Sequence, residues 1–250
     1  MRFIVRTKNG YGGSIRDEVV RMLEANGEEH TDRIEPGCDF AVIIGGDGTL
    51  LRDHSWIDCP VLGINPGRSV GFYMRACNLD FRRRLMSLLH GRPRKDYYIY
   101  DLMRLQASVN GHGMDALALN EVLVSPVFVR RIMEAELEVG GRKSLERNSA
   151  IIAYTPTGSN AFARSAGAKP LSHGSKSFGV VALAPYSGSL KRGEKKMRDG
   201  YVRIRYSSDK GEVCIDGSEL HLMELRHGDV VEIGKHPKPL RLVGFRPRLG

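Results

Sequence analysis

The fold is decided by residues 40–49, FAVIIGGDGT, where an apolar segment runs directly into a glycine-rich loop. Residues 40–44 are continuously apolar and mostly β-branched, which is typical of a strand buried on both faces of a parallel sheet. Ligands bind at the carboxyl ends of the strands in open α/β sheets. The stretch therefore predicts a buried parallel strand whose following loop, residues 45–49, lies at a binding edge.

Strand and helix signals alternate on both sides of this stretch. Residues 3–5 and 61–64 are further short apolar runs of the length expected for buried strands. Two other segments repeat apolar residues on one helical face: the first has Ser14 as its predicted N-cap and ends at Gly27, and the second has Asn78 as its predicted N-cap and ends at Gly91. Residues 1–95 are therefore predicted to form an open α/β domain.

Beyond Arg94 the hydrophobic period changes from that of a helix to that of a strand. Ala135, Leu137 and Val139 alternate with glutamates, and residues 202–207 alternate in the same way, which is typical of half-buried antiparallel strands. Further strands are predicted at residues 99–109, 121–125, 151–154, 180–183, 213–216 and 230–233. We therefore expect a β-rich domain over residues 96–236, with residues 237–250 either closing it or returning to the first domain.

Charge and composition exclude several classes of protein. The 250 residues include 38 Lys and Arg against 29 Asp and Glu, a net charge of +9 that suits an anionic partner. Two short basic clusters, residues 82–84 and 191–196, lack interleaved aromatic residues and are interpreted as solvated surface, so no nucleic acid partner is predicted. The chain has no apolar run of the ~20 residues that a membrane helix needs, no secretory signal, and no metal-type cysteine spacing. A cytoplasmic protein without a membrane partner is predicted.

Asp47 is the candidate functional residue of the glycine loop. The flanking glycines let backbone N–H groups approach phosphate oxygens, which makes the loop a phosphate site by position. A carboxylate there can take a proton from a substrate hydroxyl or hold a phosphate-bound Mg²⁺. The alternative is that Asp47 only caps a helix that begins near Thr49. The loop matches neither the dinucleotide fingerprint nor the Walker pattern, so neither a hydride-transfer fold nor a P-loop is predicted.

Two polar clusters in the second half are further candidates. Residues 155–167, TPTGSNAFARSAG, place hydroxyls, glycine and small side chains directly after a predicted strand, which suits a backbone-lined pocket for a flat ligand. Asn120 and Glu121 stand at the head of another predicted strand, where an amide and a carboxylate suit sugar hydroxyls or an adenine edge. Taken alone, the first cluster is a turn-rich loop and the second is an ordinary strand-end cap.

Together these clusters resemble the motifs of the NAD kinase family. Residues 45–51, GGDGTLL, resemble the family's first motif, and residues 63–68, GINPGR, followed by Gly71 and Phe72, resemble its second strand and loop. Asn120 and Glu121 resemble its Asn-Glu pair, and residues 155–167 resemble its Thr-Pro-Thr-Gly-Ser segment. The motifs follow one another in order over most of the chain. The resemblance implies a Rossmann-like α/β N-terminal domain followed by a β-rich C-terminal domain.

The resemblance also implies an activity and a set of site residues. The family's reaction moves the γ-phosphate of ATP, or a phosphate of polyphosphate, to the 2′-hydroxyl of the adenosine ribose of NAD, giving NADP with the help of Mg²⁺ or another divalent cation. Asp47 would be the general base. The residues implied at the dinucleotide are Asp47, Gly48, Arg52, Asn120, Glu121, Arg131, Ser149, Asn160, Ala161, Phe162 and Ser165. The residues expected to contact phosphates are Lys8, Gly45, Gly46, Thr49 and Arg68. The expected partners are small nucleotides and further copies of the chain, in a homodimer or homotetramer.

Three departures from the family motifs concern how the dinucleotide is held. Ser149 stands where the family usually has Asp, Asn160 and Phe162 replace a Thr and a Tyr, and residues 167–170 read GAKP where the family has Gly-Gly-Pro. Asp115 and Glu146 are candidates to supply the carboxylate that is missing at residue 149. Two alternatives stay open: another kinase with a Gly-Gly-Asp-Gly loop, acting on a lipid or a sugar, and a non-catalytic NAD(P)-binding sensor.

Overall fold

A computed structural model of the chain describes residues 1–8, 12–68, 71–128 and 130–245. The chain divides into two compact units. Unit 1 comprises Met1–Leu102 together with Leu240–Gly250, and unit 2 comprises Met103–Pro239. Each unit has a hydrophobic core of its own.

The elements are numbered in chain order. The first part of the chain contains β1 (Arg2–Thr7), α1 (Gly13–Ala25), β2 (Glu29–Thr31), β3 (Phe40–Ile44), α2 (Asp47–Asp53), β4 (Val61–Asn65), β5 (Ala76–Cys77), α3 (Phe81–His90) and β6 (Tyr98–Leu102). The remainder contains β7 (Leu105–Val109), β8 (His112–Gly113), β9 (Glu121–Pro126), β10 (Met133–Val139), β11 (Arg142–Asn148), β12 (Ala150–Tyr154), α4 (Phe162–Ser165), β13 (Phe178–Leu183), β14 (Lys195–Met197), β15 (Tyr201–Tyr206), β16 (Lys210–Ile215), β17 (Leu222–Arg226), β18 (Val230–Lys235) and β19 (Leu240–Gly244).

Unit 1 is built on one mostly parallel sheet. Its strand order is β2-β1-β3-β4-β19-β6, and β5 also pairs with β4. Strands β1 to β5 run parallel, and β19 is parallel to β4 but antiparallel to β6. The strand predicted at residues 40–44 is confirmed as β3, and four of its five residues are buried, as expected for a central strand covered on both faces. Helices α1 and α3 bury apolar faces in the same core as β1 and β3.

Unit 2 is built on two antiparallel sheets of six strands. Their orders are β11-β10-β15-β18-β7-β8 and β14-β13-β12-β9-β16-β17. One core cluster takes side chains from both sheets, including Leu137 and Ile204 from the first and Val124 and Ile151 from the second. The predicted fold class, an open α/β domain followed by a β-rich domain, is therefore confirmed.

One predicted strand is divided between the two units. Residues 99–109 were predicted as a single strand, but the structure has β6 paired with β19 in unit 1 and β7 paired with β18 in unit 2. Between them, the Arg104 side chain is buried and its Nε donates to Lys238 O at 3.0 Å. Unit 1 therefore extends to Leu102, whereas the predicted domain ended at residue 95. The C-terminal strand β19 lies in the sheet of unit 1.

Both predicted helix caps are wrong. Helix α1 begins at Gly13 after Gly12, not after Ser14, because the chain enters it in a left-handed conformation with φ of 87°. A Cβ on Gly12 would lie 2.9 Å from Ile44 Cγ2, so packing on β3 also favours glycine there. Helix α3 begins after Asp80, not Asn78, and the Asp80 carboxylate accepts hydrogen bonds from Cys77 N at 2.9 Å and Arg84 Nε at 3.0 Å.

Candidate active site

The predicted phosphate-contacting residues of unit 1 lie along one edge of its sheet. Strands β1, β3 and β4 are parallel neighbours, so their carboxyl ends lie side by side. Lys8 follows β1, Gly45 follows β3, and Arg68 lies in the loop after β4. Lys8 and Arg68 are exposed. The fold thus brings these three segments to a single edge, where an anionic ligand can reach them.

The glycine loop turns tightly between β3 and α2. Gly45 N donates to Ile64 O at 2.9 Å, and Thr49 N donates to Gly46 O at 2.9 Å. A Cβ on Gly45 would lie 2.2 Å from Thr49 Oγ1, so no larger residue fits there without moving the turn. Gly48 is exposed and Thr49 is buried. The glycines therefore let the chain reverse within a few residues and leave Asp47 at the start of the helix.

The carboxylate of Asp47 is bound by the loop that follows β4, not by its own helix. Its Oδ2 accepts a hydrogen bond from Phe72 N at 2.9 Å, and its Oδ1 accepts one from Tyr73 N at 2.9 Å. A Cβ on Gly71 would lie 2.7 Å from Asp47 Oδ1, so glycine lets this loop approach the carboxylate. Gly46 is the N-cap of α2. The interpretation of Asp47 as only a helix cap is therefore wrong.

Arg75 is a candidate functional residue that the sequence reasoning missed. Its charge interacts with the Asp47 carboxylate, although burial lowers the pKa of the guanidinium. The guanidinium carbon lies 6.0 Å from the centre of the Phe72 ring, and its Nε is buried without a hydrogen-bond partner among the described residues. Arg75 belongs to no glycine-rich or polar motif, so only its place shortly after Gly71 and Phe72 could have indicated it. It supplies a positive charge near Asp47.

Arg52 is held by the residue that follows it. Its Nε and one terminal nitrogen donate to the two oxygens of Asp53 at 2.7 and 2.9 Å, and Arg6 Nε donates to the same carboxylate at 3.2 Å. Burial tends to raise the pKa of Asp53, but these hydrogen bonds outweigh it and hold the pKa below its usual value. Arg52, Arg6 and Arg16 line a cavity of about 350 Å³. The hydrogen bonds to Asp53 therefore fix the direction of the Arg52 guanidinium beside this cavity, which Asp32 also lines.

In unit 2 a carboxylate fixes the Asn120–Glu121 pair through its backbone. Asp216 Oδ2 accepts a hydrogen bond from Leu119 N at 2.8 Å, and Asp216 Oδ1 accepts bonds from Asn120 N at 2.8 Å and Glu121 N at 3.0 Å. Asp216 directly follows β16 and has a φ of 51°, a left-handed conformation that turns its carboxylate back onto the neighbouring strand. The sequence analysis placed Asp216 only at the end of the strand predicted at residues 213–216 and did not foresee this contact.

The structure brings residues 155–160 against the same pair. Strands β9 and β12 are antiparallel, with Tyr154 opposite Glu121, so Thr155 lies beside Asn120. Thr155 N donates to Asn120 O at 2.9 Å, and the hydroxyls of Thr155 and Thr157 both donate to Leu119 O, at 2.6 and 2.8 Å. A Cβ on Gly158 would lie 1.9 Å from Asn120 O. The two predicted clusters of unit 2 therefore form one hydrogen-bonded group.

Glu121 is a buried carboxyl group within this cluster. Its side chain is only 6% exposed, and its Oε2 has no hydrogen-bond partner among the described residues. Burial and the nearby charge of Asp216 raise the pKa of Glu121 to about 8, against the opposing effect of a hydrogen bond from the Phe162 backbone. At neutral pH most Glu121 side chains are therefore protonated and can donate a hydrogen bond.

Residues 160–165 directly follow the hydrogen-bonded group formed by residues 119–121 and 155–158. Asn160 N donates to Thr157 O at 3.3 Å, and Ala161 N donates to Gly158 O at 2.9 Å. The Phe162 side chain is 43% exposed, and Ser165 at the end of α4 is exposed as well. The segment thus offers an exposed ring and backbone groups directly beside Glu121.

Arg131 and Ser149 lie at the opposite end of the same strand pair. Arg131 follows the far end of β9 from Glu121, and Ser149 precedes β12, whose other end is joined to Thr155. Five residue steps along β9 correspond to roughly 17 Å. Arg131 is exposed, with its guanidinium 5.5 Å from the Phe128 ring centre. The structure therefore does not bring these two predicted residues to the Asn120–Glu121 cluster within one chain.

Glu146 does not replace the carboxylate that is missing at residue 149. It is buried, and its oxygens accept hydrogen bonds from the Ser144 hydroxyl, the Ser189 hydroxyl and backbone, and the Leu190 backbone, at 2.7 to 3.2 Å. These bonds tie β11 to the segment before β14, which is a structural role. Asp115, the other candidate, is exposed.

The described residues contain no group of three or more His, Cys, Asp or Glu side chains placed to hold a metal ion. Cys38, Cys59, Cys77 and Cys214 are free thiols, and all but Cys38 are buried. Within these residues, no helix combines the length and the apolar composition needed to cross a membrane.

Comparison with known proteins agrees with the motifs. Residues 8–92 match the family model described as the ATP-NAD kinase N-terminal domain. The NAD kinase of Thermomicrobium roseum is 30% identical over 240 residues, which cover 92% of this chain and 80% of that protein.

Two solved structures have a similar fold. An NAD kinase from Archaeoglobus fulgidus in complex with ATP superposes with a TM-score of 0.73 and 25% identity, covering 98% of this chain and 94% of the other. Yeast NADH kinase complexed with NADH superposes with a TM-score of 0.83 over 98% of this chain and 83% of the other, and at 16% identity it supports the fold alone. The resemblance seen in the motifs is therefore confirmed, and the chain belongs to the NAD kinase family, phosphotransferases that convert NAD to NADP.

Proposed function

We propose that this chain transfers a phosphate from ATP or polyphosphate, bound as the Mg²⁺ complex, to the 2′-hydroxyl of the adenosine ribose of NAD, with Asp47 as the general base. The observation that carries the proposal is the Asp47 carboxylate, which two backbone N–H groups hold at the carboxyl edge of the unit 1 sheet. A carboxylate with about four lone-pair sites, two of them used by Phe72 and Tyr73, keeps acceptor capacity for a substrate hydroxyl.

A carboxylate with this geometry is sufficient for the chemistry. In a loose phosphoryl-transfer transition state the alcohol proton leaves late, so a base needs correct position more than high basicity. The backbone hydrogen bonds fix the direction of the carboxylate before the substrate arrives. The fixed position therefore supports Asp47 as the group that accepts the ribose proton.

Positive charges at the same sheet edge suit the transferred phosphate. Arg75 interacts electrostatically with Asp47, and Arg52 is oriented by Asp53, so both are candidates to stabilise charge that develops on the phosphoryl oxygens. Lys8, Arg68 and the backbone of the glycine loop are the further phosphate contacts that we propose. Mg²⁺ would enter with the donor phosphates and neutralise part of their charge, since Mg²⁺ usually binds through substrate phosphates with few protein ligands.

The acceptor would be bound by the cluster in unit 2. We assign Asn120 and Glu121 to hydroxyl or adenine contacts, with Asp216 as the positioning residue for both. Because Glu121 is largely protonated near neutrality, it would donate rather than accept a hydrogen bond. Asn160, Ala161, Phe162 and Ser165 would line the dinucleotide beside it.

The positions of Arg131 and Ser149 suggest how copies of the chain would cooperate. They lie roughly 17 Å along β9 and β12 from the Asn120–Glu121 cluster, so we propose a homodimer or homotetramer in which a second copy brings this end to the dinucleotide. Equal mixing of Glu121→Ala and Arg131→Ala proteins, each weak alone, should then restore activity through mixed sites. Activity of the mixture equal to the mean of the two variants would contradict this arrangement.

The direct test of the function is product formation. The chain is incubated with Mg²⁺, NAD and either ATP or polyphosphate, and NADP is measured with an NADP-specific dehydrogenase. We expect NADP and ADP in equal amounts with ATP and none without Mg²⁺. Tight NAD binding without NADP from either donor would instead favour the sensor alternative. A companion Ser149→Asp variant, assayed with NAD and NADH, tests whether residue 149 affects the choice of acceptor.

A further inference from the structure

A second group of positive charges surrounds a cavity in unit 2 that shares no residue with the candidate active site. The cavity has a volume of about 620 Å³, within the usual range for a small-molecule site. It lies between the β10–β11 hairpin and the segment around β14. The cationic residues that line it are Arg142, Lys143, Arg192, Lys195 and Lys196. None of the described residues that line it is acidic.

Only part of this charge is neutralised by the protein. Lys143 binds Glu136 at 3.0 Å, and Lys196 binds Glu194 at 3.3 Å. Among the described residues, Arg142, Arg192 and Lys195 have no ion-pair partner within the salt-bridge distance of 4.0 Å. Like charges that converge without counter-charge repel one another, so this arrangement does not stabilise the folded chain by itself.

The arrangement also changes the interpretation of the basic run at residues 191–196. From the sequence alone, this short basic cluster was predicted to be part of the solvated surface. In the structure, Arg192 and Lys195 line the same cavity as Arg142, which comes from a separate hairpin. By contrast, the other basic cluster is largely paired, because Arg82 binds Glu18 and Arg84 binds Asp80 at 3.0 Å. Convergence from two elements distinguishes a binding site from a charged surface.

We propose that this cavity binds an oligophosphate chain, supplied by a nucleoside triphosphate or by inorganic polyphosphate. Several linked phosphates carry enough negative charge to neutralise the cations that line the cavity. A guanidinium group can also donate two parallel hydrogen bonds to phosphate oxygens. Leu137, Val139 and Met197 provide an apolar wall beside these cations. This site is additional to the proposed active site and does not depend on the kinase activity.

The first test measures binding of inorganic tripolyphosphate to the full chain without NAD or Mg²⁺. Hydrogen–deuterium exchange locates the protected segments, and calorimetry gives the affinity. We expect protection at residues 137–144 and 190–197, with affinity that falls as salt is added. Parallel titrations with ATP and with long-chain polyphosphate, followed by protection of residues 137–144 and 190–197, identify the source: protection at lower concentration of the long chain indicates polyphosphate, and protection at lower concentration of ATP indicates the nucleotide.

Matched variants distinguish binding at this cavity from nonspecific attraction to the positive charge of the protein. The test variant removes the three unpaired cations through Arg142→Gln, Arg192→Gln and Lys195→Gln. The control removes three exposed cations of unit 1 through Arg33→Gln, Arg92→Gln and Lys95→Gln. We expect the test variant to lose at least about tenfold in tripolyphosphate affinity and the control to lose much less. Thermal unfolding without ligand checks that both variants fold.

Two results would overturn the proposal. One is equal affinity of the wild-type protein and the test variant. The other is the absence of protection at residues 137–144 and 190–197 in the wild-type protein with tripolyphosphate, ATP or polyphosphate.

Discussion

Asp47 in unit 1 and Glu121 in unit 2 are both carboxylic acids at strand ends, but their surroundings differ. Asp47 is half-buried, and each of its oxygens accepts a backbone hydrogen bond from the loop that follows β4. Glu121 is almost fully buried, lies near the charge of Asp216, and has one oxygen without a partner among the described residues. Hydrogen-bond donors therefore fix the direction of the Asp47 carboxylate, whereas the Glu121 carboxyl group is buried away from water.

This difference assigns the two groups different roles. Burial beside a like charge favours the neutral form of a carboxyl group. Glu121, with a pKa of about 8, is therefore suited to donate a hydrogen bond at neutral pH, whereas Asp47 is a carboxylate held in a fixed direction by two backbone donors.

The two regions also use glycine differently. A Cβ on Gly71 would meet the end of the Asp47 side chain at 2.7 Å, whereas a Cβ on Gly158 would meet the backbone oxygen of Asn120 at 1.9 Å. A side chain can move aside, but two strands joined by hydrogen bonds cannot separate without cost. Substitution at Gly71 should therefore affect chemistry, and substitution at Gly158 should affect folding.

Gly158→Ala is expected to have the largest effect. The added methyl group overlaps the Asn120 backbone and should destabilise the protein by about 3 kcal/mol, with weaker NAD binding because Thr155 and Asn120 no longer meet. Urea unfolding and NAD titration measure both effects. Gly174→Ala is the control, since its Cβ would have nothing within 4 Å. Equal stability of the two variants would show that the cluster is not tightly packed.

Gly71→Ala should reduce turnover while leaving the fold intact. Displacing the Asp47 carboxylate by a fraction of an ångström is expected to lower kcat about tenfold, because phosphoryl transfer depends on the position of the base. The matched control is Gly13→Ala in the same unit, where a Cβ would have nothing within 4 Å. The contact with Asp47 would be irrelevant to catalysis if both variants kept wild-type kcat and unfolding temperature.

Glu121→Gln is expected to change how stability depends on pH. The folded pKa of Glu121 is raised from 4.5 to about 8, so its contribution to stability is complete below the lower value and is lost as pH rises through the upper one. Gln stays neutral throughout. Urea unfolding should therefore show the wild-type protein losing more stability than the variant across this range. Parallel curves would indicate that Glu121 is ionised in the folded protein.

Much of the architecture could be predicted because local pattern and burial agree. The apolar residues 40–44 form a central strand, and the alternation in residues 133–139 and 202–207 marks strands β10 and β15. The glycine loop was identified by position, because it directly follows a predicted buried strand and ligands bind at the carboxyl ends of such strands. The start of α1 was wrong because Gly12 is favoured by its close approach to Ile44 of β3, which local sequence does not reveal. The start of α3 was wrong for a local reason: Asp80, which binds Cys77 N and Arg84, competes with Asn78 as a cap residue.

The rest of the site depends on contacts between distant residues. Asp216 reaches residues 119–121 from another strand, and Arg75 gains its place near Asp47 through the fold of unit 1. Likewise, nothing in residues 191–196 indicates that Arg142 lines the same cavity. The sequence could therefore indicate which residues belong to the site, but it could not indicate which of them contact one another.

The most direct test of Asp47 as general base compares binding and rate in Asp47→Asn. The substitution keeps the size of the side chain and one oxygen acceptor but removes the proton-accepting carboxylate. We predict that the Kd for NAD stays within about threefold of wild type, while the single-turnover rate of NADP formation falls at least about 100-fold. A variant that binds NAD normally and forms NADP at close to the wild-type rate would contradict the assignment.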